Sequence, residues 1–207
     1  MRGVPVDCRE DWSREVIEAT IERGPHQSAT TPEAIDLFEE DIAYQVKAGF
    51  ARIVYWDDIK EHLPPQLKIS PVAVVSQTNR RDRIILDLSF PVRVGRQIIK
   101  QVVNDTTVRT LHPLALDYLG TTMPRIIKFM APAPPQYPIY WSKYDISDGF
   151  WRMVVAEGSE WNFAYVLPQP PGEPIKLVIP SALQMGGKNH RDTSARPQRL
   201  LAMLRRS

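Results

Sequence analysis

The sequence predicts an α+β fold. Three observations carry this: two early segments with apolar residues at helical spacing, a later pair of apolar runs joined by a basic turn, and a second such pair around a proline-rich loop. Helices stand in front and hairpins behind, and no self-similar period marks a repeat array.

The first helix is expected over residues 12–23, with Asp11 as its N-cap and Gly24 as its stop. "TTPEAIDLFEEDIAYQVKAGF" then supplies a cap at Thr31 and a proline at the first helical position. Ile35, Phe38, Ile42 and Val46 form its apolar stripe, and Gly49 ends it. "WDDIKEHLPP" reads as one short helical turn stopped by Pro64 and Pro65. "SPVAVVSQTNRRDRIILDLSFPV" follows as a hairpin. Its strands cover residues 72–75 and 84–88, and its turn "SQTNRRD" is basic. "MAPAPPQYP", residues 130–138, is an extended proline-rich connector. Strands near residues 162–167 and 176–179 flank a loop whose prolines resist a tight two-residue turn.

Composition bounds the class of protein. The 207 residues are 43% hydrophobic and 24% charged, which suits one globular domain or a domain with an appendage. No apolar run approaches the roughly 20 residues that span a bilayer, and "MRGVPVDCREDW" lacks the apolar core of a secretory signal. The expectation is an intracellular chain without membrane partners. Cys8 stands alone, so the chain has no internal disulfide, and no spaced histidine or acidic cluster accompanies it toward a zinc site.

The formal net charge of +2 hides a segregation. Residues 1–62 carry 7 Lys/Arg against 14 Asp/Glu, residues 63–110 carry 8 against 3, residues 111–186 carry 5 against 6, and residues 187–207 carry 6 against 1. A basic middle in an acidic body suits a local polyanion contact, and a solvated surface face explains it as well. The organisation expected is an acidic extension over residues 1–30, a main body over residues 31–186 and a basic tail over residues 187–207.

"SKYDISDGFWRMVV", residues 142–155, is the stretch with the most chemistry. Asp145 follows an alternating aromatic run, and aspartate is a poor strand former, so it needs either a turn or a ligand. Asp148 and Gly149 form a common turn dipeptide, and Phe150 and Trp151 by themselves read as core aromatics. The D-x-D-x-D-G alternation of a calcium loop is missing.

Three pieces in one order resemble the fingers and first part of the palm of a reverse transcriptase, the RNA-directed DNA polymerase of retroelements. "SPVAVV" through "RIILDLSFPV" is similar to the fingers hairpin, with Arg83 and Asp87 at its R-x-x-x-D spacing. "YDISDGF" is similar to the first palm motif, and "IPSALQMG" to the lead-in and glycine of the second. The resemblance covers about residues 35–186 and implies a right-hand polymerase truncated after the second palm motif.

The family chemistry assigns roles to these residues. Two Mg2+ ions serve nucleotide addition, and hard cations take carboxylate and carbonyl oxygens; the resemblance makes Asp145 and the Ile146 carbonyl metal ligands. It turns the backbone N–H groups of Asp148 and Gly149 toward the triphosphate. It sets Phe150 beneath the sugar, where its ring excludes a 2′-hydroxyl, and Gly186 at the nucleotide site. Arg83 closes on the incoming phosphates, while Arg80, Arg81 and Gln184 are candidate template or phosphate contacts. The implied partners are an RNA or DNA template-primer and deoxynucleotides. Ser76 and Gln77 stand where many relatives carry a lysine.

After "LQMG" the family continues with a bulky residue, an S-P or A-P pair and a helix toward a second pair of aspartates. The residues present are "GKNHRDTSARPQRLLAMLRRS". Reading the codons from the third base of each permits a tryptophan followed by an S-P-x-Y-F run, which resembles that continuation, so a shifted frame near Gly186 or Gly187 accounts for the tail. One carboxylate does not hold two metal ions, so polymerisation by this chain alone is not expected. The alternative is a non-catalytic nucleic-acid-binding or interaction protein with a genuine basic tail. The coding DNA distinguishes them. The alternate frame just downstream is expected to stay open and encode a Y-x-D-D-like motif; a closed frame, or one without that motif, contradicts the shift.

Overall fold

The computed structural model describes residues 3–99, 102–108, 120–134, 136, 140 and 153–184. These residues form a mixed α+β structure with small antiparallel sheets, in the element order that follows. Two compact units are present, one from Met1–Val108 with Asp148–Ser207 and the other Arg109–Ser147.

Helix α1 spans Arg14–Arg23 and starts two residues later than the sequence suggests. Ser13, not Asp11, is the cap, its hydroxyl accepting from the Val16 N–H at 3.4 Å. The reason lies in Trp12. It is buried with Ile17 in the same core cluster, the pairing by which a residue before the cap staples the first turn of a helix. Gly24 ends the helix at φ 66°, donating to the Thr20 carbonyl.

Helix α2, Pro32–Lys47, begins as expected, with Thr31 Oγ1 accepting from Ala34 N–H at 3.2 Å and proline in the first turn. Its buried face is Ala34, Phe38, Ile42 and Gln45. Val46, expected on the apolar stripe, is 41% exposed, because the buried stripe passes through Gln45 instead. Gly49 follows at φ 76° and turns the chain into strand β1, Ala51–Tyr55. The short helix α3, Trp56–Ile59, is the helical turn read from "WDDIKEHLPP".

Strands β2, Val72–Val75, and β3, Arg83–Leu86, pair antiparallel from Val72↔Leu86 to Val75↔Arg83. Strand β3 stops short of the expected residue 88. The Asp87 carboxylate accepts from the Ser89 N–H at 3.0 Å, a local turn that competes with the ladder. A second hairpin joins β4, Val92–Val94, to β5, Gln97–Ile99, and a one-turn helix α4 covers Val103–Thr106. The helix Thr122–Met130 belongs to the unit Arg109–Ser147.

A 3-10 turn at Ser159–Phe163 replaces the first half of the strand expected over 162–167, leaving β6 as Tyr165–Val166. Asn162 explains the difference. It is fully buried and donates to the Val6 carbonyl, Gln66 Oε1 and the Ser159 carbonyl at 3.0 to 3.3 Å, a set of bonds that a strand conformation does not offer. Strand β7, Lys176–Pro180, lies between β1 and β6 and is antiparallel to both.

Two apolar clusters flank this sheet. Phe38, Ile42, Val72, Leu88, Phe163 and Val178 belong to one, and Trp12, Ile17, Leu67, Ile69, Leu177 and Ile179 to the other. Residues 1–30, read as an acidic extension, contribute Val6 and Cys8 to the first and Trp12, Val16 and Ile17 to the second. The only cysteine, Cys8, is buried and free, and among the described residues no helix is long and apolar enough to cross a membrane.

Lys68 is fully buried beside this N-terminal stretch, its ammonium donating to the Glu10 carbonyl and lying 5.9 Å from the Trp12 ring centroid. Burial pushes its pKa below the ordinary lysine range, with the charges of Cys8, Asp11 and Glu10 opposing. The unfolded chain therefore binds more protons between the lowered value and the ordinary 10.5, and the Lys68 contribution to stability rises with pH across that window. Urea unfolding should show wild type gaining on Lys68→Met as the pH rises toward the ordinary lysine value of 10.5, by at most about 1.4 kcal/mol per pH unit. A constant difference contradicts the assignment.

Candidate functional site

The hairpin β2–β3 builds its tip from a seven-residue turn. The Asp82 carboxylate accepts from Ser76 Oγ and the Gln77 N–H, both at 3.2 Å, and the Arg80 N–H donates to the Gln77 carbonyl at 3.4 Å. Asn79 supplies the left-handed residue at φ 58°, a conformation that asparagine tolerates better than most. The turn thus presents consecutive arginines on a fixed loop.

Arg80, Arg81 and Arg83 are all exposed. Arg81 pairs with Glu40 of α2 at 2.8 Å, in water and with both side chains more than half exposed, so the pair contributes at most about 1 kcal/mol. Arg83 opens β3 opposite Val75. Alternation puts it on the outward face with Ile85, whereas Ile84 and Leu86 turn inward against the first core. The outer hairpin face therefore combines a guanidinium with Val75 and Ile85, which are 45% and 41% exposed. That combination suits a ligand with both phosphate and flat apolar surface.

Asp87, matched by spacing to Arg83, lies in the turn after β3 and is a charged neighbour of Arg23 from α1. Burial lowers the Arg23 pKa and Asp87 opposes this. Arg23 lies 5.1 Å over the Phe90 ring and donates to the Ile69 carbonyl at 3.4 Å, fastening α1 to the base of the hairpin. A groove of about 490 Å3 opens beside it between α1 and the β4–β5 hairpin, and Glu15, Glu18 and Glu22 line it with Arg23 and Arg93. Three carboxylates there disfavour a polyanion in that groove.

Beyond β7 the chain turns back on itself. Ser181 donates its N–H to the Phe50 carbonyl and its hydroxyl to the Gly49 carbonyl, both at 2.8 Å. Val154 and Ala182 then bridge antiparallel, with Val155 N–H donating to the Ser181 carbonyl and Leu183 N–H to the Met153 carbonyl, both at 2.9 Å. The residues that follow "YDISDGF" are thereby laid against "PSALQ", the lead-in to Gly186. Gln184 is half-buried and its amide donates to the Ala182 carbonyl at 2.9 Å, which engages that group within its own loop.

Asp145, Ile146, Asp148, Gly149, Phe150 and Gly186 lie outside the described residues. Among the described residues no three His, Cys, Asp or Glu side chains converge as a metal site. Sequence reasoning missed Asp82, which shapes the tip, and Glu40, which holds Arg81. Asp82 stands in a polar turn cluster, a local signal, whereas Glu40 is 41 positions from its partner and carries none. A scan against protein-family models finds no match, and a search of curated proteins finds none.

Proposed function

We propose that this chain is the fingers and first part of the palm of an RNA-directed DNA polymerase of retroelement type. The observation that carries the reading is the antiparallel pairing of residues 153–155 with 181–183, which joins the flanks of two motifs that a polymerase palm must hold side by side. Two further features support it. The β2–β3 hairpin has an arginine-bearing tip, and a strand, a proline-rich loop and a strand separate the two motifs as antiparallel β6 and β7.

In this reading Asp145 and the Ile146 carbonyl are oxygen donors suited to Mg2+, which supplies charge neutralisation for nucleotidyl transfer when bound. Asp148 and Gly149 turn their N–H groups toward the triphosphate, with Gly186 beside it, and Phe150 excludes the 2′-hydroxyl. Arg83 reaches the incoming phosphates from the hairpin, while Arg80, Arg81 and Gln184 are candidate contacts to template or phosphate. Asp145 is the one palm carboxylate that the resemblance finds in this sequence. The exposure of Arg80, Arg81 and Arg83 also favours a second reading, a nucleic-acid-binding protein without catalysis.

Primer extension with Mg2+ and deoxynucleotides separates the two. These 207 residues are expected to bind a template-primer without extending it, and each of Arg80→Ala, Arg81→Ala and Arg83→Ala to reduce the salt slope of binding by about 1. A chain continued in the alternate frame is expected to extend the primer, with Asp145→Ala slowing it about a thousandfold or more, the loss of several kcal/mol of metal-borne stabilisation. Salt-dependent RNA binding by the continued chain without extension establishes the second reading instead.

A further inference from the structure

The N-terminal segment 3–9 makes two isolated β-bridges, at Val4 and at Cys8, and so touches two otherwise separate places. On one side Val4 bridges parallel to Val155: Val4 N–H donates to the Val154 carbonyl and Ala156 N–H to the Val4 carbonyl, both at 2.8 Å. On the other, Cys8 bridges antiparallel to Thr107, with Val108 N–H donating to the Asp7 carbonyl at 2.8 Å and Arg9 N–H to the Thr106 carbonyl at 3.2 Å. Between them Val6 N–H donates to Ser159 Oγ and its carbonyl accepts from Asn162 Nδ2, both at 3.3 Å. The segment's two bridging contacts are the chain segments immediately before and after residues 109–152.

We propose that residues 3–9 are a clamp that opens and closes as one unit and fixes the spacing of segments 106–108 and 154–156. Its bearing on Asp145, which lies between those segments in sequence, rests on the proposed function; the clamp itself does not. Three features argue for a unit rather than a run of independent contacts. Val6 and Cys8 are buried in one core cluster with Val155, so the middle and far end of the segment are anchored together with the residue that Val4 bridges. The backbone of Val4 bonds to one segment and that of Asp7 and Arg9 to the other, so a shift at either end breaks the register at both. At the start of the segment Gly3 packs so closely that a Cβ would lie 2.5 Å from the Val155 carbonyl carbon and oxygen, leaving no room for a side chain unless the backbone moves.

Three groups report on the clamp: the Ala156 amide on one side, the Val108 amide on the other, and the Cys8 thiol, which is 4% exposed and the chain's only cysteine. In the unmodified full chain, amide exchange at Ala156 and Val108 and labelling of Cys8 by iodoacetamide are expected to share one urea dependence, shallower than that of Val178 in β7. Gly3→Val disturbs only the Ala156 side directly. It is nevertheless expected to speed all three by a common factor of about ten or more, the effect of losing one buried backbone hydrogen bond on an opening equilibrium, while Val178 and Ile179 hold. Val4→Pro, which removes the donor to Val154 without a clash at Gly3, should do the same. Acceleration confined to Ala156 overturns the proposal, as do urea slopes that differ among the three reporters or match that of Val178.

Discussion

Strand β7 is the constraint on which the remaining structure depends. Leu177, Val178 and Ile179 are fully buried in succession, with Leu177 and Ile179 serving one core cluster and Val178 the other. A strand buried on both faces reads as a continuous apolar run, and "KLVIP" has that character. Each of these side chains contributes about 1.5–3 kcal/mol on burial, so the strand is held by apolar transfer as much as by its ladder. Its pairing Ala51↔Pro180 also joins residues far apart in the chain, and the loop-closure entropy of that contact is offset only when both clusters form.

Much else follows from β7. Because the chain leaves it through Ser181, bonded to Gly49 and Phe50, the next residues fall against 153–155. That segment is in turn flanked by the N-terminal residues through the Val4 bridge. The basic hairpin tip lies apart from this arrangement, anchored through Val72 and Leu86 in the first cluster and steadied by Arg23 near Asp87.

What the sequence made legible was local. Thr31, Pro32 and Gly49 delimit α2 because caps and φ restrictions act within a few residues, and Val72–Val75 announced itself by β-branched density between a proline and a polar turn. Strand β1 went unread because "ARIVY" is short and its partner is more than a hundred residues away. The second hairpin carries a weaker signal for another reason: "VRVGRQII" alternates weakly around its turn at Gly95. Asn162 looked like a strand residue, and only its buried bonds to Val6, Gln66 and Ser159 make it part of a 3-10 turn. In the candidate site the arginines of the tip were readable from charge, whereas Glu40 beside Arg81 depends on tertiary packing.

The most direct measurement of the account is hydrogen exchange, residue by residue, across the three sheets. If β7 organises the fold, the amides of Leu177, Val178 and Ile179 exchange only through global unfolding, and their opening free energy equals that from urea denaturation. Faster exchange in β7 than in the β2–β3 hairpin, or an opening free energy well below the global value, would contradict its central place.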